Sequence, residues 1–263
     1  MVRSAKQLIR QGDMFQCVLS QRFSSDISGN PFDYYRNLRV TNPSNYLYFY
    51  DFEDYQIIGA SPESLVSVKD GIVTTNPIAG TRPRGNDEEE DQRLAADLST
   101  DTKEVAEHRM LVDLGRNDIG RIAQIGTVEV TKYMEVEYFR YVMHLTSIVK
   151  GQLLENLTVL DALKATLPAG TVSGAPKIRA MQRIYELEKE KRGIYAGAIG
   201  YLSATGDMDF AIAIRTMVVK NGKAYVQAGA GIVYDSVPEN EYQETLNKAK
   251  AMTKIGECYD SFN

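Results

Sequence analysis

The chain is poor in the residues from which most zinc and redox sites are built. It has two cysteines in 263 residues, Cys17 and Cys258. They stand at opposite ends with no CxxC pair, which argues against a cysteine zinc site or a thioredoxin-like motif. Reduced thiols in a cytoplasm are expected. No apolar run approaches the ~20 residues that a membrane helix needs. Met1–Asp13 has charges every few residues where a secretory leader would carry an apolar core. Basic charge is not in excess: 30 Lys and Arg stand against 35 Asp and Glu, a net charge of −5. That balance argues against a nucleic-acid binder relying on a broad basic surface and leaves room for a local basic pocket for a small anion. Two nucleotide motifs are incomplete. "AGAGIVY" has Gly229 and Gly231 but Tyr234 where a third glycine should stand. In "GTVSGAPK", Ala175 and Pro176 separate Gly174 from Lys177, so the phosphate-loop core is missing. Only backbone N–H groups at the following helix start remain to meet an anion there.

What is present is ordinary globular material. Hydrophobic residues make up 43% and charged residues 25%, enough apolar mass for a core. No repeat, low-complexity tract or linker divides the chain, so one domain over residues 1–263 is expected. Three runs read as hairpins: "NYLYFYDFEDYQIIGAS" turning at Glu53-Asp54, "SLVSVKDGIVTTNPIAG" at Asp70-Gly71, and "FAIAIRTMVVKNGKAYVQAGAGIV" at Asn221-Gly222. Helical patterns lie between and around them. One opens the chain with Ala5, Leu8 and Ile9 on one face. Another is the charged run from Asp87 to Asp118. "TVLDALKATL" and "APKIRAMQRIYELEK" follow, with Pro176 placed for a first turn, and a last helix begins near Pro238. The expected class is α+β, with large antiparallel sheets and helices outside them.

The acidic residues are the more informative. Glu104 and Glu107 are spaced i,i+3 on one predicted helix, and so are Glu241 and Glu244 on another. Each pair therefore shares a helical face. Four carboxylates from two helices form a donor set for a hard cation such as Mg²⁺. Spacing alone favours solvated helix surface, although Glu107 is followed by His108, Met110, Leu111 and Val112, which turn the helix toward a core. His144 sits in the strand-like "RYVMHLTSIV", where an isolated histidine is more often a satisfied core residue than a catalyst. Glu63, in "GASPESLV", is a loop acid just after a strand. Gln16, in "GDMFQCVLSQRF", is an amide on the strand face it shares with Val18 and Ser20.

Nine stretches in order, "FQCVLSQRF", "IIGASPESL", "PIAGTRPRG", "EHRMLVDLGRND", "VMHLTSIVKG", "PAGTVSGAPKIRAM", "GAIGY", "DFAIAIRTMVV" and "VQAGAGIVYDSVPENEYQETLNKAKAM", cover essentially the whole chain. Together they resemble the chorismate-utilising enzymes, and among them the catalytic domains of anthranilate synthases. The resemblance implies a two-sheet antiparallel sandwich flanked by helices. It implies conversion of chorismate and ammonia to anthranilate and pyruvate, in tryptophan biosynthesis, with Mg²⁺ as cofactor. The ammonia would come from a glutamine amidotransferase partner. It further implies that Arg215 and Tyr195 hold the enolpyruvyl carboxylate, aided by the backbone near Gly231 and by Lys248. Gly80, Thr81 and Thr171 frame the ring. Glu107 and Glu244 would ligate Mg²⁺ directly, with Glu104 and Glu241 acting through water. Glu63 matches the family's general acid, a role that needs a raised pKa. His144 matches a histidine near the departing hydroxyl.

Two positions discriminate within the family. Ala79 stands where aminodeoxychorismate synthases typically carry a nucleophilic lysine, and alanine cannot attack the ring. Gln16 stands where isochorismate and salicylate synthases carry a lysine base. Glutamine cannot deprotonate water, so Gln16 argues for ammonia as nucleophile. The alternatives are an aminodeoxychorismate synthase with an atypical alanine and a truncated chorismate-binding fragment without turnover. The chain starts just before the first catalytic motif, so the tryptophan-binding N-terminal region of the full-length family is not expected in it.

Overall fold

The computed structural model describes residues 1–253. In chain order the elements are α1 (Val2–Arg10), β1 (Gln16–Asp26), α2 (Pro31–Thr41), β2 (Tyr46–Asp51), β3 (Gln56–Ser61), β4 (Ser64–Lys69), β5 (Ile72–Thr75), β6 (Ile78–Pro83), α3 (Glu88–Thr100), α4 (Thr102–Gly120), β7 (Glu129–Tyr138), β8 (Val142–Gln152), α5 (Val159–Thr166), β9 (Gly174–Ala175), α6 (Lys177–Leu187), β10 (Ala198–Leu202), β11 (Met208–Ile212), β12 (Thr216–Lys220), β13 (Lys223–Ile232) and α7 (Pro238–Thr253). The strands form two antiparallel sheets, which with the helices give the α+β class expected. All three predicted hairpins are present. Two turns use left-handed backbone at residues that tolerate it, Asp70-Gly71 (φ 51° and 76°) and Asn221-Gly222 (φ 51° and 72°), and the third places it at Glu53 (φ 64°).

The chain divides into two compact units. The first holds Met1–Glu63, Pro168–Ile199 and the segment from Ala211 onward; the second holds Ser64–Leu167 and Gly200–Phe210.

In the first unit the sheet order is β2-β3-β12-β13-β1-β9. Alternation along the strands and the pairing register put Cys17, Leu19, Met217, Val219, Val226, Ala228 and Ile232 on one face of the sheet, where they form two clusters. Cys17, Leu19 and Ile232 pack with Ala5, Met14 and Ile184 from α1, the segment after it and α6. Met217, Val219, Val226 and Ala228 pack with Tyr34, Leu38, Ala249 and Met252 from α2 and α7. The other face carries Gln16, Val18 and Ser20, with Val18 opposite Gly231 and Ser20 opposite Gly229. The first five residues of β1 are all buried, so neither face of the strand start is solvent. Cys17 is a free, buried thiol pushed up to about 12 by desolvation, which leaves it protonated and unreactive. Cys258 lies outside the described residues.

In the second unit the order is β10-β11-β4-β5-β8-β6, and β7 pairs along the other edge of β8. The charged helical run is two helices rather than one. Asp101 interrupts it with an extended backbone, and its carboxylate caps the next helix by accepting from the N–H groups of Lys103 and Glu104. Ala95, Leu98, Met143 and Leu145 close the core between α3 and the sheet. The "GTVSGAPK" stretch contains a 3-10 turn at Gly170–Val172 and then β9, and Pro176 is the cap residue of α6 rather than a residue of its first turn.

Candidate active site

The first unit carries Gln16, Glu63, Thr171, Tyr195, Arg215, Gly231, Glu241, Glu244 and Lys248; Gln16 is buried, Glu244 is exposed and the others are half-buried. Glu63 lies in the short connection between β3 and β4, and its backbone is fixed: its carbonyl accepts from the Ile212 N–H at 3.0 Å. The Thr171 hydroxyl donates to Glu63 Oε1 at 2.8 Å. Desolvation pushes the Glu63 carboxyl up to about 7, against the Thr171 hydrogen bond and the charges of Lys248 and Arg215, which all favour the anion. Burial also pushes the Tyr195 phenol up to about 12, so it stays a neutral donor. The Arg215 guanidinium is held below its ordinary range by desolvation, while Tyr195, Glu63 and Glu244 support its charge. Arg215 has a left-handed backbone (φ 49°), and its side chain donates to the Lys248 carbonyl at 2.8 Å. Lys248, on α7, donates to the Gly229 carbonyl at 3.0 Å and pairs with Glu244 at 2.6 Å. Glu241 stands one turn before Glu244 on the same helix.

The two glycines of β13 create space rather than a nucleotide loop. A Cβ on Gly229 would lie 2.7 Å from the Tyr195 hydroxyl, and a Cβ on Gly231 would lie 2.7 Å from Gln16 Nε2. Gln16 is 3% exposed, so its amide lies on the sheet face shared with Val18, over a position that only glycine leaves open.

The second unit holds the remaining residues on a strand bulge and a helix start. The register of β6 against β8 shifts between Ala79 and Arg82, and Gly80 and Thr81 form the bulge. Ala79 itself pairs with Leu145. Gly80 has φ 68°, and a Cβ there would lie 2.8 Å from Leu98 and 3.2 Å from Glu104 Oε2. Its carbonyl is 2.8 Å from His144 Nδ1, and the Thr81 hydroxyl is 3.1 Å from the same nitrogen. A carbonyl can only accept, so Nδ1 carries a proton and donates it to the Gly80 carbonyl. Phe139 packs edge-on against the ring. Arg82 bonds Asp97 at 2.6 Å and Asp101 at 2.8 Å, tying the bulge to the cap of α4. Glu104 is raised above the ordinary carboxylate range by desolvation and by the charge of Glu107 one turn on.

The α4 pair thus places two hard oxygen donors on one helix face, with the Glu107 charge disfavouring the Glu104 anion, as suits a cation-binding pair. The α7 pair is engaged differently, because Lys248 already neutralises Glu244. Among the described residues no group of three or more His, Cys, Asp or Glu side chains is gathered to hold a metal. Residues that the sequence reading missed are Asp101 and Arg82, which place Glu104 and the bulge, and Arg192 with Glu188, considered below. No local signal marks the first pair, because Asp101 sits inside one unbroken charged run.

The chain belongs to the chorismate binding enzyme family, whose model matches residues 1–254. It is similar to "Anthranilate synthase component 1" of Lactococcus lactis subsp. lactis (strain IL1403), 66% identical over 97% of this chain and 56% of that protein. Among solved structures it is similar to anthranilate synthase component I from Streptococcus pneumoniae TIGR4, with 78% identity, a TM-score of 0.90, and coverage of 96% of this chain and 56% of that one. It is also similar to the menaquinone-specific isochorismate synthase from Escherichia coli, with 28% identity, a TM-score of 0.87, and coverage of 97% and 59%. The chain spans about half the length of the curated relatives it matches. No described helix is long and apolar enough to cross a membrane.

Proposed function

We propose that this chain carries the chorismate-amination site of an anthranilate synthase: chorismate and ammonia are converted to anthranilate and pyruvate in the cytoplasm, with ammonia delivered by a glutamine amidotransferase partner. The observation that carries the reading is Glu63. A carboxyl raised to about 7 and oriented by Thr171 is a proton donor near neutral pH, as a poor hydroxide leaving group requires. The similarity to anthranilate synthases, the alanine at position 79 and the glutamine at position 16 support amination over hydration.

Each residue has a part. Arg215 and the Tyr195 hydroxyl bind and orient the enolpyruvyl carboxylate, with the Gly231 backbone and Lys248 beside them; the planar fork of arginine suits a carboxylate better than an ammonium does. Thr171 holds Glu63, and Glu63 gives its proton to the departing hydroxyl. Gly80 and Thr81 frame the ring and hold His144 at Nδ1, and His144 assists departure of the hydroxyl or proton transfer. Gln16 offers an amide where a base would activate water. Glu107 and Glu244 would hold Mg²⁺ directly, with Glu104 and Glu241 through water, and the bound metal would neutralise the ring carboxylate and steady charge pushed into the diene.

The test is product identity. Chorismate, Mg²⁺ and an ammonium salt at alkaline pH should yield anthranilate and pyruvate. An aminodeoxychorismate that keeps its enolpyruvyl group would instead assign the alternative amination, and binding without turnover would make the chain a ligand-binding fragment.

A further inference from the structure

Arg192 lies in the loop after α6, and all three of its guanidinium nitrogens donate hydrogen bonds. Its Nε donates to Glu188 Oε2 at 2.9 Å. One terminal nitrogen donates to Glu188 Oε1 and to the Val18 carbonyl, both at 2.7 Å; the other donates to the Val172 carbonyl at 2.6 Å. Side-chain exposure is 17% for Arg192 and 5% for Glu188. Glu188 is held in turn by the Ser20 N–H and hydroxyl, each at 2.8 Å, and Gln227 donates to that hydroxyl at 2.8 Å. The guanidinium also lies 5.5 Å from the centroid of the Tyr195 ring.

One cation therefore joins three stretches far apart in the chain: β1 through Val18, the Gly170–Val172 turn through Val172, and the loop that ends at Tyr195. The first two are already paired where β9 meets β1, at Gln16 with Ala175 and Cys17 with Gly174. Arg192 fastens them just beyond that pairing. Thr171 immediately precedes the tethered Val172, and Thr171 is the residue that bonds Glu63.

We propose that Arg192 is a positioning residue: its hold on the Val172 carbonyl sets Thr171, and through Thr171 the Glu63 carboxyl, while its planar face seats the Tyr195 ring beside Gly229. The proposal rests on the reading of Glu63 as proton donor, and its test separates the two. Lysine keeps a charge for Glu188 but lacks the fork that reaches two carbonyls and a carboxylate at once.

The experiment compares Arg192→Lys, Thr171→Val and the double variant by two readouts: kcat for anthranilate formation, and the Glu63 carboxyl titration followed by ¹³C NMR without substrate. The groups facing Glu63 are the Thr171 hydroxyl, Lys248 from α7, Arg215 from the segment before β12, and Tyr195. Of these, only the Thr171 bond is loosened by design. Thr171 lowers the Glu63 pKa, so both single variants should titrate above about 7. Arg192→Lys should lower kcat about tenfold, the cost of a small misplacement of a reacting group. The double variant should match Thr171→Val alone in both readouts, because acting through one residue makes effects non-additive. A moved titration with unchanged kcat supports the positioning role and removes Glu63 as proton donor. An unmoved Glu63 in Arg192→Lys, or additive effects in the double variant, overturns the proposal. If Arg192→Lys does not fold, the paired change Arg192→Gln with Glu188→Gln leaves no unpaired buried charge; Glu63 should again titrate higher, and an unmoved value overturns the proposal.

Discussion

The two units prepare their site residues by different physics. In the first, Glu63, Tyr195 and Arg215 are desolvated side chains, and burial itself tunes them: the acid up, the phenol up, the guanidinium down. In the second, the placing is done by backbone. A bulge at Gly80-Thr81 presents a carbonyl and a hydroxyl to His144, and Asp101 fixes the helix turn that carries Glu104. The difference teaches that the first unit tunes several groups through desolvation, whereas the second relies on backbone geometry and, beyond the desolvation that also raises Glu104, on concentrated negative charge.

That contrast can be broken most forcefully at the glutamates. Glu107→Ala and Glu244→Ala should each lower Mg²⁺-dependent turnover on the order of 100-fold, with Mg²⁺ affinity weakened in titration calorimetry; full activity in either would show that its pair binds no metal. A smaller effect is expected at Gly80. Gly80→Ala forces an L-residue to φ 68° and crowds Leu98 and Glu104, so stability should fall by about 1–2 kcal/mol in urea unfolding. An unchanged midpoint would mean that the bulge relaxes freely.

A third expectation concerns pH. Glu63 binds its proton more tightly folded, at about 7, than at its ordinary 4.5. Its favourable contribution is complete below 4.5 and is lost as pH rises through about 7. Glu63→Gln should remove this decline, so the variant's stability relative to the parent should increase from pH 4.5 to 8 in thermal melts. Parallel curves would show the carboxyl is not desolvated. The smallest effect is expected from Gln16→Lys, which restores an amine over Gly231 and should bring trace hydration of chorismate; its complete absence would mean that Gln16 alone does not set the nucleophile.

Local signals carried much of the fold. Asp70-Gly71 and Asn221-Gly222 tolerate the left-handed turns their hairpins need, so both were legible, and the i,i+3 glutamate spacing placed each pair on one helix face. What could not be read depended on tertiary partners. The break at Asp101 sits inside one unbroken charged pattern and is decided by a carboxylate capping N–H groups. The short β9 has no periodicity, because its only cause is the edge of β1. Arg192 joins residues 18, 172 and 188, and no window along the chain contains all three. Gln16 was legible as a polar residue on an apolar strand, but its burial depends on Gly231, more than two hundred positions away.

The most direct test of the account is Glu63→Gln, read by chorismate calorimetry and by turnover together. The account predicts affinity within about threefold of the parent and a loss of kcat of about 10² to 10⁴, the usual worth of a general acid. Collapsed affinity with normal residual turnover would contradict it and make Glu63 a binding residue.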